Sequence, residues 1–183
     1  MKKEFIKLSS VLCIITLVAA FVLAGVNSIT APAIEKAEKE AVESAMKTLL
    51  PEADAFEASS TDENLTIAKK EGKPVGFCAK VSANGYGGEV VMMVGVDNDM
   101  LVQGIEILSH SETVGLGAKI TEDKFKGQFK DKSLSGLTVV KTPTEDADKF
   151  EAVTGATISS RAVENGIAKA KDMIEKEFKE GVK

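Results

Sequence analysis

A chain of 183 residues with 44% hydrophobic and 28% charged side chains holds enough apolar material for one packed domain plus an appendage, and too much for a disordered polymer. A net charge of −5, no tryptophan and a single tyrosine exclude the basic, aromatic-studded face of a nucleic-acid binder. One histidine (His110) and two cysteines (Cys13 and Cys78) exclude His/Cys zinc sites, iron–sulfur clusters and CxxC redox pairs.

The charge is unevenly spread. Lys2, Lys3, Glu4 and Lys7 make residues 1–7 a basic tip of +2, which leaves −7 on the rest. From Leu8 to Ile34 there is no charged side chain, and Val11 to Val26 is almost wholly aliphatic. A helix needs about 20 apolar residues to cross ~30 Å of hydrocarbon. Residues 8–30 supply them and are expected to anchor the chain in a lipid bilayer. With the lysines on the cytoplasmic side, the tip faces inward and everything after Asn27 lies outside the cell. A cleaved signal peptide carries a shorter apolar core, roughly 7–15 residues. The length therefore favours a retained anchor. A lipoprotein is excluded here, because Leu23-Ala24-Gly25 is followed by Val26 and not by cysteine.

Residues 31–51 read as a juxtamembrane helix. Ile34, Ala37, Ala41, Ala45 and Leu49 recur at helical spacing, Glu35/Lys39 and Glu43/Lys47 are i,i+4 pairs, and Pro51 ends the run. That stripe of mostly small residues predicts close packing, on the following domain or on a neighbouring subunit. Residues 52–183 form that outer body. Strand-like runs cover Leu65–Lys70, Pro74–Ser82, Glu89–Val96 and Leu101–Leu108, with Asp97-Asn98-Asp99 as a hairpin turn between the last two. Thr121–Phe129 reads as a short helix capped by Thr121, and Leu137–Lys141 and Phe150–Val153 as further short strands. A long helix starts at about Thr157, with Val163, Ile167, Ala170, Ile174 and Phe178 on its apolar stripe. The fold class expected is α+β: a mostly antiparallel sheet flanked by helices, preceded by one transmembrane helix.

Three glycine-rich stretches break this regular pattern. Asn84-Gly85-Tyr86-Gly87-Gly88 joins two strands and by itself is a hairpin turn. His110 to Gly117 places the only histidine, Glu112, Thr113, Gly115 and Gly117 in eight residues after a strand. Loops on a rigid sheet are common carriers of function. Thr154-Gly155-Ala156-Thr157 opens the last helix, where Thr154 or Thr157 is a candidate N-cap. The first amides of a helix point outward and favour an anion, phosphate above all. Taken singly, each stretch also reads as ordinary turn or cap chemistry.

Together with the basic tip and single anchor, these stretches resemble the flavin-binding domain family of the G subunit of the Rnf ion-translocating electron-transfer complex. They resemble more distantly the C subunit of the sodium-pumping quinone reductase. The resemblance implies FMN held covalently on the last threonine of the TGAT motif, Thr157, as an ester between its hydroxyl and the flavin's phosphate. It also implies a separate Mg²⁺-dependent flavin transferase that donates FMN from FAD, and association with the other membrane subunits of an Rnf-type ferredoxin:NAD⁺ oxidoreductase. Val114 stands where that family usually has proline, and Glu151 where the attachment motif usually has aspartate. Around the flavin, Thr154, Gly155 and Ala156 would approach the phosphate, Glu112 and Thr113 would supply polar contacts, and Gly115, Leu116 and Gly117 would shape the backbone wall. Tyr86 would pack on the ring or on the core, and His110 would be a contact or a strand cap. No catalytic side chain and no metal ligand is expected, because a bound flavin carries its own chemistry. Two other readings remain open on the residues: a stand-alone extracytoplasmic flavoprotein, or an anchored binding domain without cofactor.

Overall fold

In the computed structural model, which describes residues 2–180, the chain forms two compact units, one ending at Glu40 and the other starting at Ala41. The first unit belongs to helix α1 (Lys2–Leu49), 48 residues with Pro32 inside it. Its segment from Ile6 has an 18-residue window of mean hydropathy 2.5 with none of it buried, long and apolar enough to cross a bilayer. Where the sequence reading divides anchor from juxtamembrane helix at residue 30, the helix runs on unbroken. The hydroxyls of Ser28 and Thr30 donate to the carbonyls of Ala24 and Val26 one turn back, so this polar stretch is satisfied within the helix.

Six strands follow as an antiparallel meander, β1 (Ala55–Ala58), β2 (Leu65–Lys70), β3 (Lys73–Asn84), β4 (Glu89–Asp97), β5 (Leu101–Ser109) and β6 (Lys132–Ser133), neighbours in sequence pairing in that order. β1 escaped the sequence reading, because Ala-Phe-Glu-Ala is too short to show an alternation. The hairpin between β4 and β5 is as expected: Asp97 Oδ1 accepts the amides of Asp99 and Leu101, both at 2.9 Å.

Alternation along the two central strands gives the sheet two apolar faces. Phe77, Ala79, Val81 and Ala83 of β3 and Val90, Met92, Val94 and Val96 of β4 point to one face, where helix α3 (Thr157–Glu180) covers them with Val163, Ile167, Ala170 and Ile174. Phe178 continues that stripe half-exposed and meets Phe77 edge to face at 5.1 Å. Cys78 and Met93 point to the other face, against Ala45, Leu49 and Leu50 at the end of α1. Burial pushes the Cys78 thiol up to about 12, which leaves it protonated and inert.

The small-residue stripe of α1 therefore packs only over its last two turns. Ala45 and Leu49 are buried, whereas Ile34, Ala37 and Ala41 are exposed. The reason is the shape of the sheet. Gly95 and Gly104 face each other across β4 and β5, and a Cβ on either would run into the Leu49 side chain. Leu49 thus fills a hollow built from two glycines. Leu49→Ala is expected to destabilise the sheet domain by about 2–5 kcal/mol, the usual cost of an uncollapsed leucine cavity. Chemical denaturation of the full chain followed by circular dichroism checks it, and an unchanged midpoint would show that α1 is not part of this core.

The segment 117–129 differs from the single capped helix expected over Thr121–Phe129. It is a 3₁₀ turn (Gly117–Thr121), one α-helical turn α2 (Asp123–Lys126) and a second 3₁₀ turn (Gly127–Phe129). Thr121 does not cap: its hydroxyl donates back to the carbonyl of Ala118, and Glu122 occupies the capping position without a side-chain bond. Tertiary packing decides the geometry. Phe125, Phe129 and Phe150 form one cluster with ring centroids 4.7–6.0 Å apart, and the chain bends to deliver all three. Phe150 lies on β8 (Lys149–Glu151), which pairs in parallel with β7 (Thr138–Val140) as a separate two-stranded sheet. β8 leads straight into the start of α3.

Candidate functional site

The path from β8 to α3 is fastened at three points. The Gln128 carboxamide pairs with the backbone of Glu151 from both sides, its Oε1 accepting the amide at 2.7 Å and its Nε2 donating to the carbonyl at 3.3 Å. The fully buried Ser160 hydroxyl accepts the amide of Val153 at 3.0 Å and donates to the carbonyl of Ala156 at 3.1 Å. Between them, the amide of Ala156 bonds to the carbonyl of Val153 at 2.9 Å, closing a turn in which Gly155 has φ +79°. That is the glycine position of a type II turn.

This turn changes the capping expected of the helix. The carbonyl of Ala156 accepts the amide of Ser160 at 3.0 Å, so Ala156 is the N-cap, and neither Thr154 nor Thr157 fills that role. Alanine has no oxygen with which to cap. Among the described residues, the amides of Thr157, Ile158 and Ser159 accordingly find no acceptor. Three parallel donors at the positive end of a 24-residue helix form an anion seat. The Thr157 hydroxyl lies among them, half-buried and without a hydrogen bond to any described residue.

The seat opens into a cleft of about 440 Å³ lined by Tyr86, Glu112, Thr113, Leu116, Gly117 and the run from Gly155 to Ser159. Eight of the ten residues expected around a flavin line this cleft. Gly115 and Thr154 do not; Thr154 lines a neighbouring hollow with Lys119, Phe125 and Gln128. The cleft's rim is apolar: Tyr86, Leu116 and Ile158 are 73%, 48% and 53% exposed. Tyr86 therefore packs on no core.

Glu112 is the buried charge of the site, 6% exposed. Its Oε1 accepts the amides of Tyr86 at 2.7 Å and Gly87 at 3.1 Å, and its Oε2 accepts the Ser159 hydroxyl at 2.6 Å. The amide of Glu112 itself donates to Nδ1 of His110 at 3.1 Å. Burial pushes the carboxyl pKa up. Its bonds from Ser159, Gly87 and Tyr86 outweigh that push and hold it below the ordinary carboxylate value. The stabilisation from an ionised Glu112 is thus complete above the unfolded-state pKa and is lost as pH falls through the folded one. The glycines around it make room. A Cβ on Gly85 or Gly117 would overlap a Glu112 carboxylate oxygen, and one on Gly87 would strike the Ser111 carbonyl.

Sequence reasoning did not single out Gln128, Ser159 or Ser160. The two serines sit in a first helical turn, where such residues are ordinary, and only their burial sets them apart.

This arrangement lies within a recognised sequence family. Residues 85–172 match the FMN-binding domain, and residues 1–49 match the RnfG N-terminal region. Over 163 residues, 89% of this chain and 88% of the relative, the sequence is 34% identical to the G subunit of the proton-translocating ferredoxin:NAD(+) oxidoreductase complex of Clostridium ljungdahlii. The chain belongs to this G-subunit family. It is also 34% identical over 187 residues to the G subunit of the Na(+)-translocating ferredoxin:NAD(+) oxidoreductase complex of Acetobacterium woodii, covering 90% of this chain and 89% of that one. The crystal structure of Shewanella oneidensis NqrC shares the fold, with a TM-score of 0.50 at 20% identity over 64% of each chain. The FMN-binding match runs from the Gly85 loop through the first two-thirds of α3, and so contains every residue lining the cleft.

Proposed function

We propose that the chain is a membrane-anchored electron carrier that holds FMN as a phosphoester on Thr157, facing outward from the cell as a subunit of an Rnf-type ion-translocating ferredoxin:NAD⁺ oxidoreductase. The observation that carries this reading is the set of three unpartnered amides, Thr157 to Ser159, beside a free threonine hydroxyl at the mouth of the cleft. A dianionic phosphate monoester fits that donor set, and the cleft leaves space for a planar ring against an apolar rim. Attached through its phosphate, the flavin supplies one- or two-electron redox chemistry from a ring left free to react. The chain's own residues seat the phosphate, with Gly155 and Ala156 clearing the approach, and hold the walls in place. They supply no general base: His110 Nδ1 is engaged by the Glu112 amide.

Attachment is the work of a separate flavin transferase. The phosphoanhydride of FAD breaks, the Thr157 Oγ1–P bond forms, AMP leaves, and the hydroxyl proton passes to solvent or to the transferase. The lysines at the start of α1 support a cytoplasmic N-terminus, which puts the outer body on the far side of the membrane. There a covalent link prevents loss of the cofactor by dilution.

Intact-protein mass spectrometry after co-expression with a flavin transferase tests the attachment. The expected product is heavier by FMN minus water and stays yellow on a denaturing gel; a chain at its unmodified mass would overturn the reading. Detergent pull-down tests the assembly, with co-purifying membrane subunits expected and a lone chain counting against it.

A further inference from the structure

Three segments distant in sequence meet at one carboxylate. The β3–β4 loop offers the amides of Tyr86 and Gly87, the first turn of α3 offers the Ser159 hydroxyl, and Glu112 accepts all three from the loop that follows β5. We infer that Glu112 is a positioning residue: its ionised carboxylate, held by three protein donors, sets the cleft in advance, fastening the Tyr86 loop and the α3 terminus to each other through a single charge. This deepens the flavin reading and rests on it for its functional meaning, though its test needs no flavin.

Each oxygen is already occupied. Oε1 takes two converging amides, an arrangement typical of a backbone anion nest, and Oε2 takes a hydroxyl that is itself 1% exposed. All three donors come from the protein itself. The charge matters beyond the shape, because a carboxylate accepts on both sides. A glutamine keeps the size but turns an N–H₂ toward one set of donors. It then either opposes the Tyr86 and Gly87 amides or forces Ser159 to accept, leaving that hydroxyl's hydrogen unpaired in a buried position. The absence of side chains at Gly85 and Gly117 leaves the carboxylate its room.

The groups facing Glu112 are few. His110 comes from its own segment, Tyr86 from the β3–β4 loop, and Ser159 from α3. The anchor also explains a division of labour at the helix terminus. Glu112 engages the side chain of Ser159, while the amides of Thr157, Ile158 and Ser159 stay open for a second anion. Two anions on one terminus repel, so a phosphate seated there is expected to raise the pH at which Glu112 takes up a proton.

The test uses the full chain in detergent, made without a flavin transferase, and reads the Tyr86 and Gly87 amides by ¹H–¹⁵N NMR. In the wild type these two amide signals are expected to titrate together in an acid step below the ordinary carboxylate range. In Glu112→Gln that step is expected to vanish. Hydrogen exchange of both amides at neutral pH should then rise about ten-fold, as for the loss of one charge-assisted bond, with Ile167, Ala170 and Ile174 in the core of α3 unchanged. Ser159→Ala, which removes one donor to the charged form and keeps the rest, is expected to move the step to higher pH. A step that persists in Glu112→Gln, equal exchange in the two proteins, or a step unmoved by Ser159→Ala would overturn the assignment. Absence of an FMN adduct would sink the attachment and leave these shifts as they are, so the two failures are distinguishable.

Discussion

Thr157→Ala is expected to abolish covalent flavin attachment completely and to leave the fold as it was. The first half follows from chemistry: the variant has no oxygen at that position with which to form the phosphoester. The second follows from geometry. Thr157 is the first residue inside α3, and its hydroxyl makes no bond to a described residue that the change could break. Alanine favours a helix more than threonine does, so the stability change should lie within about 0.5 kcal/mol. The α3 amides remain, and so does the anion seat. Thr157→Ser keeps a hydroxyl in the same place and is expected to retain the adduct. Intact mass and thermal melting, measured on the same samples, check both halves. An adduct surviving in Thr157→Ala would move the attachment to another residue.

Gly117→Ala is expected to cost about 3 kcal/mol of stability and to disable the cleft, whereas Gly115→Ala, two residues away, should cost only about 1 kcal/mol. The two glycines are present for different reasons. Gly115 has φ +81° and nothing within 4 Å of the place a Cβ would take, so a methyl group there meets only the strain of the left-handed backbone. Gly117 has no such backbone need. A Cβ on it would overlap Glu112 Oε2 and come within 2.6 Å of Ser159 Oγ. It must displace a buried carboxylate from its donors, and the backbone has little room to yield because Gly117 is itself buried. Urea denaturation of both variants measures the difference. Similar costs for the two would mean that Glu112 can be repositioned without loss.

The sheet domain shows how far pattern alone reaches. β2 was legible to the residue and the β4–β5 hairpin by its aspartates, because a strand with two covered faces and a tight turn both leave local signals. The stripe of α3 was equally plain, since a helix lying on a sheet must repeat its apolar residues every three or four positions. Segment 117–129 was not legible. Phe125 and Phe129 suit one face of a helix, but the third member of their cluster, Phe150, lies in a different strand and decides where the chain bends. The same holds for α1, whose small-residue stripe reads alike along its length while glycines in two remote strands select which part packs.

At the site, the candidate attachment residue, Thr157, could be named from the sequence, and its surroundings could not. The basic tip, the apolar run, the three glycine stretches and the threonine that opens the last helix are local facts, carried by neighbours in the chain. That Ala156 and not a threonine stands at the cap, that this leaves three amides open, and that Glu112 joins two loops and a helix at the cleft are facts of folding. They depend on where a hydrogen-bond donor or a missing side chain arrives from dozens of residues away, and only the packed tertiary structure brings those partners within 3 Å of each other.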